Sequence, residues 1–245
     1  MPGLKRLYNI IRYGVGPRAR ERKRSVKDAA RRRRFASERW EKGAGLAQRR
    51  YEDYDEYLMH QASKLTRIQH RLDETEAEDQ AEFRRRFETC PHLRPRRSIL
   101  CLGARIGTEV RALHELGHFA VGIDLNPGEG NRYVLPGDFH AIQFPDGCVD
   151  VVYTNCLDHV FDLGRLLGEC HRLLGPEGCF ITDVLPGFEE GWTPGEYEAS
   201  HWKSVDALIA EIENRSPFRL ADRRALGAHR RDSWFQLVFH PLPPE

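Results

Sequence analysis

The stretch Ser98–Asp124 constrains the fold of this chain more than any other part of the sequence. It begins with the apolar run Ile99–Leu102, breaks at Gly103, resumes at Gly107 with apolar residues at helical spacing, and ends a second apolar run with Asp124. Strand, glycine turn, helix, strand and terminal acid, in that order, are the opening unit of a nucleotide-binding α/β sheet. The glycines let the backbone approach a ligand, and the acid can accept hydrogen bonds from two ribose hydroxyls.

The remaining sequence continues this alternation of apolar runs and amphipathic segments. We expect strands at 98–102, 119–123, 133–135, 149–154, 178–184, 217–222 and 233–239, and helices at 107–116, 161–174 and 203–214. Crossovers join the first five strands, which makes them parallel, and the last two follow as an antiparallel pair. The predicted fold class is therefore α/β, a Rossmann-like sheet of seven strands with a basic helical extension at the N-terminus.

Charge is divided unevenly along the chain. Residues 1–97 hold 26 lysines and arginines against 15 acidic residues, whereas residues 98–245 hold 12 against 22. The basic excess is densest in residues 1–50, with 17 against 4, and an amphipathic piece opens this segment at 1–17. We interpret residues 1–50 as a basic arm, partly disordered or helical, that can dock on an anionic membrane surface or on RNA.

Apolar runs and cysteines indicate the class of protein. No apolar run approaches the roughly 18–20 residues that a membrane span needs, and the N-terminus lacks the apolar core of a secretory signal. The six cysteines form no CxxC pair and lie mostly in apolar runs, which indicates reduced core residues rather than a disulfide or zinc framework. We expect a cytoplasmic protein without a metal site, peripheral at the membrane if its arm binds lipid.

Segment 51–96 has a helical pattern. The members of one apolar stripe follow steps of three and four: Tyr54, Leu58, Ala62, Leu65, Ile68 and Leu72. The pattern predicts a helix that packs on, or caps, a catalytic domain at 97–245. If the helix caps that domain, the residues expected at the mouth of the site are Tyr54, His60, Gln61 and Lys64.

Four motifs in this order resemble a known family. The series LCLGARIG, GIDL, GDFHAIQFPDGCVDVVYTN and LLGPEGCFITDV is similar to the successive motifs of class I S-adenosylmethionine (SAM)-dependent methyltransferases, most of all the group called methyltransferase type 11. The resemblance covers residues 98–184 well and residues 1–90 hardly at all. It implies an enzyme that uses SAM as methyl donor and releases S-adenosylhomocysteine (SAH).

The resemblance also implies roles for individual residues. The turn at 103–107 passes under the methionine part of SAM, Asp124 holds the ribose, and Leu125 packs on the adenine. Asp138 accepts the adenine amino group, Phe139 flanks the ring, and Asn155 lies beside the sulfonium and the acceptor. The implied cofactor-binding residues are Gly103, Ala104, Arg105, Gly107, Asp124, Leu125, Asp138, Phe139 and Asn155.

Two positions of the first motif depart from the family pattern. The family usually has an acidic residue where this chain has Cys101, and a glycine where it has Arg105. The missing acid removes a common anchor for the methionine amine. Arg105 can instead pair with the methionine carboxylate or with an anionic substrate.

Asn155, Asp158 and His159, which follow the fourth strand, are the candidate catalytic residues. His159 suits a general base for a hydroxyl acceptor because its unperturbed pKa lies near 6.5. On a helix, adjacent side chains point about 100° apart, so we expect at most one of Asp158 and His159 to face the acceptor. The alternative is that Asp158 caps a helix and His159 packs in the core.

Two further positions are expected near the acceptor. Asp183, at the tip of the fifth strand, can reach the site. The loop between Pro186 and Trp202 is expected to cover the acceptor pocket, with Trp192 and Tyr197 as candidate substrate contacts.

The acceptor itself is not encoded in a motif. We favour a small molecule or a glycan hydroxyl, because the catalytic domain is acidic and lacks a basic rim. RNA or protein methylation through the basic arm is the alternative, as is a catalytically inactive scaffold subunit. A nicotinamide-binding domain is disfavoured because the turn Gly103–Gly107 does not match G-x-G-x-x-G.

Overall fold

The computed structural model describes residues 17–37, 40–229 and 232–242; residues 1–16, with nearly all of the expected amphipathic piece, lie outside this range. In chain order the elements are α1 (Pro17–Ser37), β1 (Trp40–Lys42), β2 (Leu46–Arg49), α2 (Tyr54–Glu88), β3 (Ser98–Leu102), α3 (Thr108–Glu115), β4 (Phe119–Asp124), β5 (Val134–Pro136), β6 (Val149–Thr154), a 3-10 turn (Leu157–His159), α4 (Leu163–Leu173), β7 (Leu174–Val184), β8 (Ser200–Trp202), α5 (Val205–Arg215), β9 (Phe218–His229) and β10 (Asp232–Pro241).

Seven of the strands form one sheet in the order β5-β4-β3-β6-β7-β10-β9. The first five are parallel, and β10 runs antiparallel between β7 and β9. The predicted Rossmann-like sheet of seven strands is confirmed. Strands β7 and β9 are longer than expected, since the β9–β10 hairpin continues pairing as far as His229 and Asp232.

Alternation along β3 shows how the sheet divides the core. Ile99 and Cys101 are buried in a cluster that includes residues of α2 and α3, whereas Leu100 and Leu102 belong to a second cluster with α4 and α5. Both faces of the sheet are therefore covered, as expected for a parallel sheet joined by helical crossovers. The carboxyl ends of β3, β4 and β6 are left to form a site.

A second, three-stranded sheet was not predicted. β2 pairs antiparallel with both β1 and β8, and Leu46 lies opposite Trp202. A division of the chain at residue 50 therefore cuts through this sheet, and residues 40–49 pack with the cover segment 186–202. β1, β2 and β8 contain three or four residues each and no apolar run, so the sequence pattern does not identify them as strands.

Helix α1 is the predicted basic helical extension, and it lies against the cover segment. Arg34 forms an ion pair with Glu196 at 2.8 Å, and Arg31 lies 3.6 Å from Glu198. The guanidinium of Arg31 also stacks over the ring of Trp192 at 5.3 Å. Within the described residues, no helix is both long enough and apolar enough to cross a membrane.

Helix α2 spans the carboxyl ends of the parallel strands and is anchored at its C-terminal end. Arg86 donates to the carboxylate of Asp183 at 3.1 Å, and the same carboxylate accepts hydrogen bonds from Tyr153 Oη and Gln236 Nε2. Asp183 is fully buried. The expectation that Asp183 reaches the acceptor is wrong, because its carboxylate is enclosed by these three partners.

Candidate active site

The glycine turn after β3 has the geometry that the sequence suggests. Gly103 has a φ of +68°, and a Cβ at this position would lie 2.2 Å from Cys156 Sγ. Only glycine fits there, because a side chain would collide with the segment that follows β6. Gly107, with a φ of +79°, is the N-cap of α3 and packs behind the turn against Tyr133 and Val134. Gly107 thus shapes the turn rather than lining a cavity.

A narrow cavity, here called cavity A, lies between the tip of β4 and helix α2. Its volume is about 50 Å³, and its lining includes Gly103, Arg105, Asp124, Leu125 and Phe139. Both oxygens of the Asp124 carboxylate accept backbone N–H groups, from Arg105 and from Asn126, each at 2.8 Å. The implied ribose and adenine residues are therefore gathered in one place, and Asp124 is held in a fixed orientation.

A larger cavity, here called cavity B, lies on the other side of the glycine turn. It has a volume of about 550 Å³, and its lining includes Ala104, Glu109, Asn155, Arg86 and Trp234. Gly103 and Arg105 line both cavities. Asn155 is thereby separated from Asp158 and His159, which lie on the side of cavity A.

The carboxylate of Asp138 accepts hydrogen bonds from other residues of the protein. Its Oδ2 accepts a hydrogen bond from Tyr54 Oη at 2.6 Å, and its Oδ1 accepts one from the backbone N–H of His140 at 2.8 Å. Burial favours the neutral acid, but the hydrogen bonds from His140 and Tyr54 outweigh it and lower the pKa of Asp138 to about 2. Asp138 is therefore a bound carboxylate at the edge of the adenine side, and Tyr54 competes with any other donor for it.

Lys64 and His159 form the polar centre of cavity A. Lys64 Nζ lies 2.5 Å from His159 Nε2, and His159 Nδ1 lies 2.8 Å from the carbonyl oxygen of Tyr197. Because a carbonyl only accepts, Nδ1 carries the proton, and Nε2 accepts from the lysine. Burial, reinforced by the charge of Lys64, lowers the pKa of His159 to about 3, which keeps the ring neutral.

Asp158 lies beside the same pair, on a 3-10 turn rather than an α-helix. Its Oδ2 is 3.7 Å from His159 Nε2. The tight turn brings the two side chains close together, and of the two only His159 lines cavity A. The helix-capping alternative for Asp158 is wrong: Asp162 caps α4, its Oδ1 accepting the N–H of Arg165 at 3.0 Å.

One group within the described residues has the composition of a metal site. Ligand atoms of Asp158, His159 and Glu198 lie within 4.8 Å of one another. Both ring nitrogens of His159 already have partners, and Lys64 brings a positive charge to the centre of the group. The lysine therefore supplies the charge that a cation would supply.

The cover segment contributes both backbone and side chains to the site, the latter including Glu198 and the ring of Tyr197. The carbonyl of Tyr197 accepts from Gln61 Nε2 at 2.8 Å as well as from His159. Trp192, expected to contact substrate, is 7% exposed and stacks on Trp202. The structure thus assigns Trp192 to packing of the segment.

Sequence reasoning named Lys64 only as a residue at the mouth and did not name Glu109. Lys64 had a signal: with Tyr57 and Gln61 it follows steps of four and three, one face of a helix. Tyr57 on this face donates to the carbonyl of His159 at 3.1 Å. A row of polar residues beside an apolar stripe predicts contacts across a site. For Glu109 the only signal in the sequence is its place in the first turn of the helix that follows the glycines.

Comparison with known proteins finds similarity over the middle of the chain. The profile of the methyltransferase domain family matches residues 100–182. A malonyl-[acyl-carrier protein] O-methyltransferase of Coxiella burnetii is 29% identical over 93 residues. This alignment covers 36% of the present chain and 33% of that protein, so the chain spans about a third of its relative's length.

Solved structures extend the likeness to the whole fold. The 1,6-didemethyltoxoflavin-N1-methyltransferase of Burkholderia thailandensis aligns with a TM-score of 0.65 at 18% identity, covering 83% of this chain and 99% of that one. A SAM-dependent methyltransferase of Thermotoga maritima aligns with a TM-score of 0.54 at 13% identity, covering 74% and 98%. At these identities the similarity establishes a shared fold, and it agrees with the family resemblance of residues 98–184.

Proposed function

We propose that this chain, whose residues 100–182 match the methyltransferase domain family, is a class I SAM-dependent enzyme that transfers a methyl group from SAM to a small-molecule acceptor held beneath helix α2. SAM supplies a methyl group on a positively charged sulfur, which a nucleophilic atom of the acceptor displaces in line. The protein therefore has to align the two reactants and, where the acceptor atom carries a proton, to accept that proton.

The observation that carries the proposal is the fixed carboxylate of Asp124 at the tip of β4. Backbone N–H groups hold both of its oxygens, and a carboxylate has about four acceptor positions in all. Each oxygen thus keeps capacity for a ribose hydroxyl. Leu125 and Phe139 offer apolar surfaces for an adenine. This set fits an adenosine, and the carboxylate would repel a phosphate.

Entry of an adenosine requires cavity A to widen. Its volume of about 50 Å³ is far below the roughly 300–1,000 Å³ of pockets that hold ligands of this size. Gln61 and Lys64 line the cavity from α2, and rotation of these long side chains is the smallest change that enlarges it. Asp138 becomes available to the adenine amino group when Tyr54 releases it.

We assign to Lys64 the role of the base that takes the proton from the acceptor. Burial and, next, the charge of Arg105 lower its pKa to about 8, so a neutral amine is accessible near physiological pH. One N–H can continue to donate to His159 while the lone pair takes the proton from a hydroxyl or an N–H group. His159, whose two nitrogens are both engaged, positions Lys64 and is not itself the base.

A small acceptor with a hydroxyl or N–H group, including a sugar hydroxyl, suits this arrangement. Two similar proteins methylate different kinds of atom. The Burkholderia enzyme is an N1-methyltransferase that was solved with 1,6-didemethyltoxoflavin and SAH, and the Coxiella relative is a malonyl-[acyl-carrier protein] O-methyltransferase. A carboxylate acceptor would have no proton to lose and would instead bind the cationic form of Lys64. The two classes therefore differ in their dependence on pH.

A role of the basic arm in binding RNA or an anionic membrane is a separate proposal. Arg31 and Arg34 are ion-paired with the cover segment, whereas Arg32 and Arg33 are exposed on α1. Replacing both exposed arginines by glutamate should weaken binding to anionic vesicles without changing SAH affinity. Loss of RNA binding with unchanged vesicle binding would favour RNA as the partner.

The proposed function is tested by calorimetry with SAH and NADH, followed by turnover of SAM against a panel of small hydroxyl, N–H and carboxylate acceptors. SAH should bind and NADH should not. With a hydroxyl or N–H acceptor, the rate should rise with pH and level off above about 8, and Lys64→Met should abolish that dependence. A rate that falls above pH 8 would indicate a carboxylate acceptor, whereas SAH binding without turnover of any acceptor would favour the inactive scaffold.

The role of Lys64 has a readout that does not depend on an acceptor. Competitive acetylation, followed by mass spectrometry between pH 6 and 11, reports the pKa of this amine in the folded protein. We expect it to titrate near 8, well below the usual 10.4 of lysine. An unshifted Lys64 would remove the basis for its role as a base.

A further inference from the structure

We propose that Glu109 and Arg105 together bind the amino-acid end of SAM in cavity B, Glu109 the α-ammonium group and Arg105 the α-carboxylate. The inference rests on the proposed function and extends it to two side chains of opposite charge. Neither of them follows from the family pattern, which has a glycine at position 105 and an acid at position 101.

Glu109 is an acidic residue in an unusual position. It lies in the first turn of α3, is 5% exposed, and lines cavity B. Among the residues that the structure describes, no cationic side chain lies within ion-pair distance of its carboxylate, although the charge of Arg105 acts on it. Burial raises the pKa of Glu109 to about 8, because an ionised carboxylate without a cationic partner is costly there. An ammonium group in cavity B would supply that partner and keep the carboxylate ionised.

The carboxyl of Glu109 lies near the residue that departs from the family pattern. Cys101 is fully buried at the end of β3, and the negative charge of Glu109 adds to burial in raising the pKa of its thiol. An acidic group therefore lies close to the end of β3 although the strand itself carries none. Helix α3 brings the acid that the strand lacks.

Arg105 occupies a backbone conformation that favours glycine. Its φ is +48°, one of two positive values among the described non-glycine residues, and a large side chain is disfavoured there. The guanidinium forms no hydrogen bond or ion pair with the described part of the chain, although the backbone N–H of Arg105 binds Asp124. The head group of Arg105 therefore lies at the junction of the two cavities, where it can pair with an anionic group of a ligand.

The two charges match one ligand chemistry. The amino-acid end of SAM is a zwitterion, with an ammonium and a carboxylate on one carbon atom. A phosphate-bearing nucleotide would be attracted by Arg105 but repelled by Glu109. Both residues line cavity B, and Arg105 also lines cavity A beside Asp124, so a ligand with its ribose at Asp124 can extend past the turn towards them.

The test compares SAH with 5′-methylthioadenosine, which has the same nucleoside and sulfur but lacks the amino-acid end. Calorimetry with both ligands is performed on the wild type, Glu109→Gln and Arg105→Gln. Each substitution removes one charge-assisted contact, so SAH affinity should fall about 10- to 100-fold. Affinity for 5′-methylthioadenosine should stay within threefold, which also shows that the variants are folded.

Glu115→Gln provides the matched control, because Glu115 lies on the same helix but is half-exposed and pairs with Arg84. It should leave the affinity for both ligands unchanged. An equal loss for SAH and 5′-methylthioadenosine in Glu109→Gln, or no loss for either, would overturn the inference. If the wild type binds neither ligand, the proposed function itself fails, which is a distinguishable result.

Discussion

The two halves of helix α2 are held by different kinds of contact. In the C-terminal half, Arg86 and Asp183 form an ion pair inside the protein, with side-chain exposures of 3% and 0%. In the N-terminal half, Tyr54, Gln61 and Lys64 each make hydrogen bonds at partly exposed positions around cavity A. One continuous helix thus has an end held by a buried ion pair and an end held by hydrogen bonds around a cavity.

The difference separates stability from ligand access. Breaking one partner of a buried ion pair leaves an uncompensated charge and costs about 3–5 kcal/mol. A single hydrogen bond contributes about 1 kcal/mol, because water or a ligand can replace it. Substitutions at the C-terminal half should therefore change the free energy of unfolding, and substitutions at the N-terminal half should mainly change binding.

The largest effect is expected for Asp183→Leu. Leucine has the same branched shape but leaves the hydroxyl of Tyr153 and one nitrogen of the Arg86 guanidinium without an acceptor, while Glu82 still pairs with Nε of Arg86. The free energy of unfolding should fall by about 3 kcal/mol, the lower end of the cost of breaking a buried ion pair, measured by urea denaturation followed by circular dichroism. SAH affinity at low temperature should stay within threefold of the wild type.

Asp206→Leu is the control for the same substitution in an exposed ion pair. Asp206 pairs with Arg223 but is 78% exposed, and such pairs contribute about 0–1 kcal/mol. If both leucine variants lose the same stability, the buried network is not the anchor of α2.

Asp124→Ala is expected to have the next largest effect, on binding. The variant loses the acceptors proposed for two ribose hydroxyls, so SAH affinity should fall about 100-fold, or roughly 2.7 kcal/mol. Calorimetry gives the value directly. Asp124→Asn keeps one acceptor oxygen, so its SAH affinity should lie between those of the wild type and Asp124→Ala. Retention of wild-type affinity in Asp124→Ala would contradict the ribose assignment.

The buried imidazole beneath the N-terminal half predicts a pH dependence of stability. The pKa of His159 is about 3 in the folded protein and near 6.5 in the unfolded chain. Above pH 6.5 the ring is neutral in both states. As the pH falls from 6.5 to 3, only the unfolded chain binds the proton, so stability decreases by about 1.4 kcal/mol per pH unit for this group.

His159→Gln should remove that contribution. Urea denaturation of the wild type and the variant at pH 7, 6, 5 and 4 should show a smaller loss of stability in the variant. Burial lowers the pKa of His201 to about 4, so this residue contributes to the loss of stability in the same direction. His201→Gln therefore measures how much of that loss a second buried histidine causes. Parallel curves for the wild type and His159→Gln would mean that the ring is not kept neutral by the fold.

The main sheet was predictable because its strands are apolar runs bounded by glycine, proline or acidic residues. These apolar runs identify Ser98–Leu102 and Val149–Thr154 as strands regardless of distant contacts. The small sheet was not predictable, since the pairing of Leu46 with Trp202 depends on a contact between segments far apart in sequence. The same reason explains why the arm was taken to extend to residue 50.

The residues of the candidate site also divide into those that the sequence predicts and those that it does not. Asp124 and Phe139 were predictable because they follow strand ends, where the carboxyl edge of a parallel sheet collects ligand-binding residues. Glu109 and Lys64 lie on helices, where a charged residue usually means a solvated face. Their burial comes from the packing of α2 over the strand ends, which local sequence does not report.

The smallest effect is expected for Tyr54→Phe, and it tests whether the N-terminal half of α2 competes with the cofactor. The variant removes the hydroxyl that donates to Asp138, which should lower the free energy of unfolding by about 1 kcal/mol. In the wild type, the hydrogen bond between Tyr54 and Asp138 has to break before Asp138 can accept the adenine amino group. In the variant there is no such bond to break. SAH affinity should then rise by up to about fivefold, the equivalent of 1 kcal/mol. Asp138→Asn in the same background should cancel the gain, whereas unchanged or weaker SAH binding in Tyr54→Phe would mean that the tyrosine does not restrict the site.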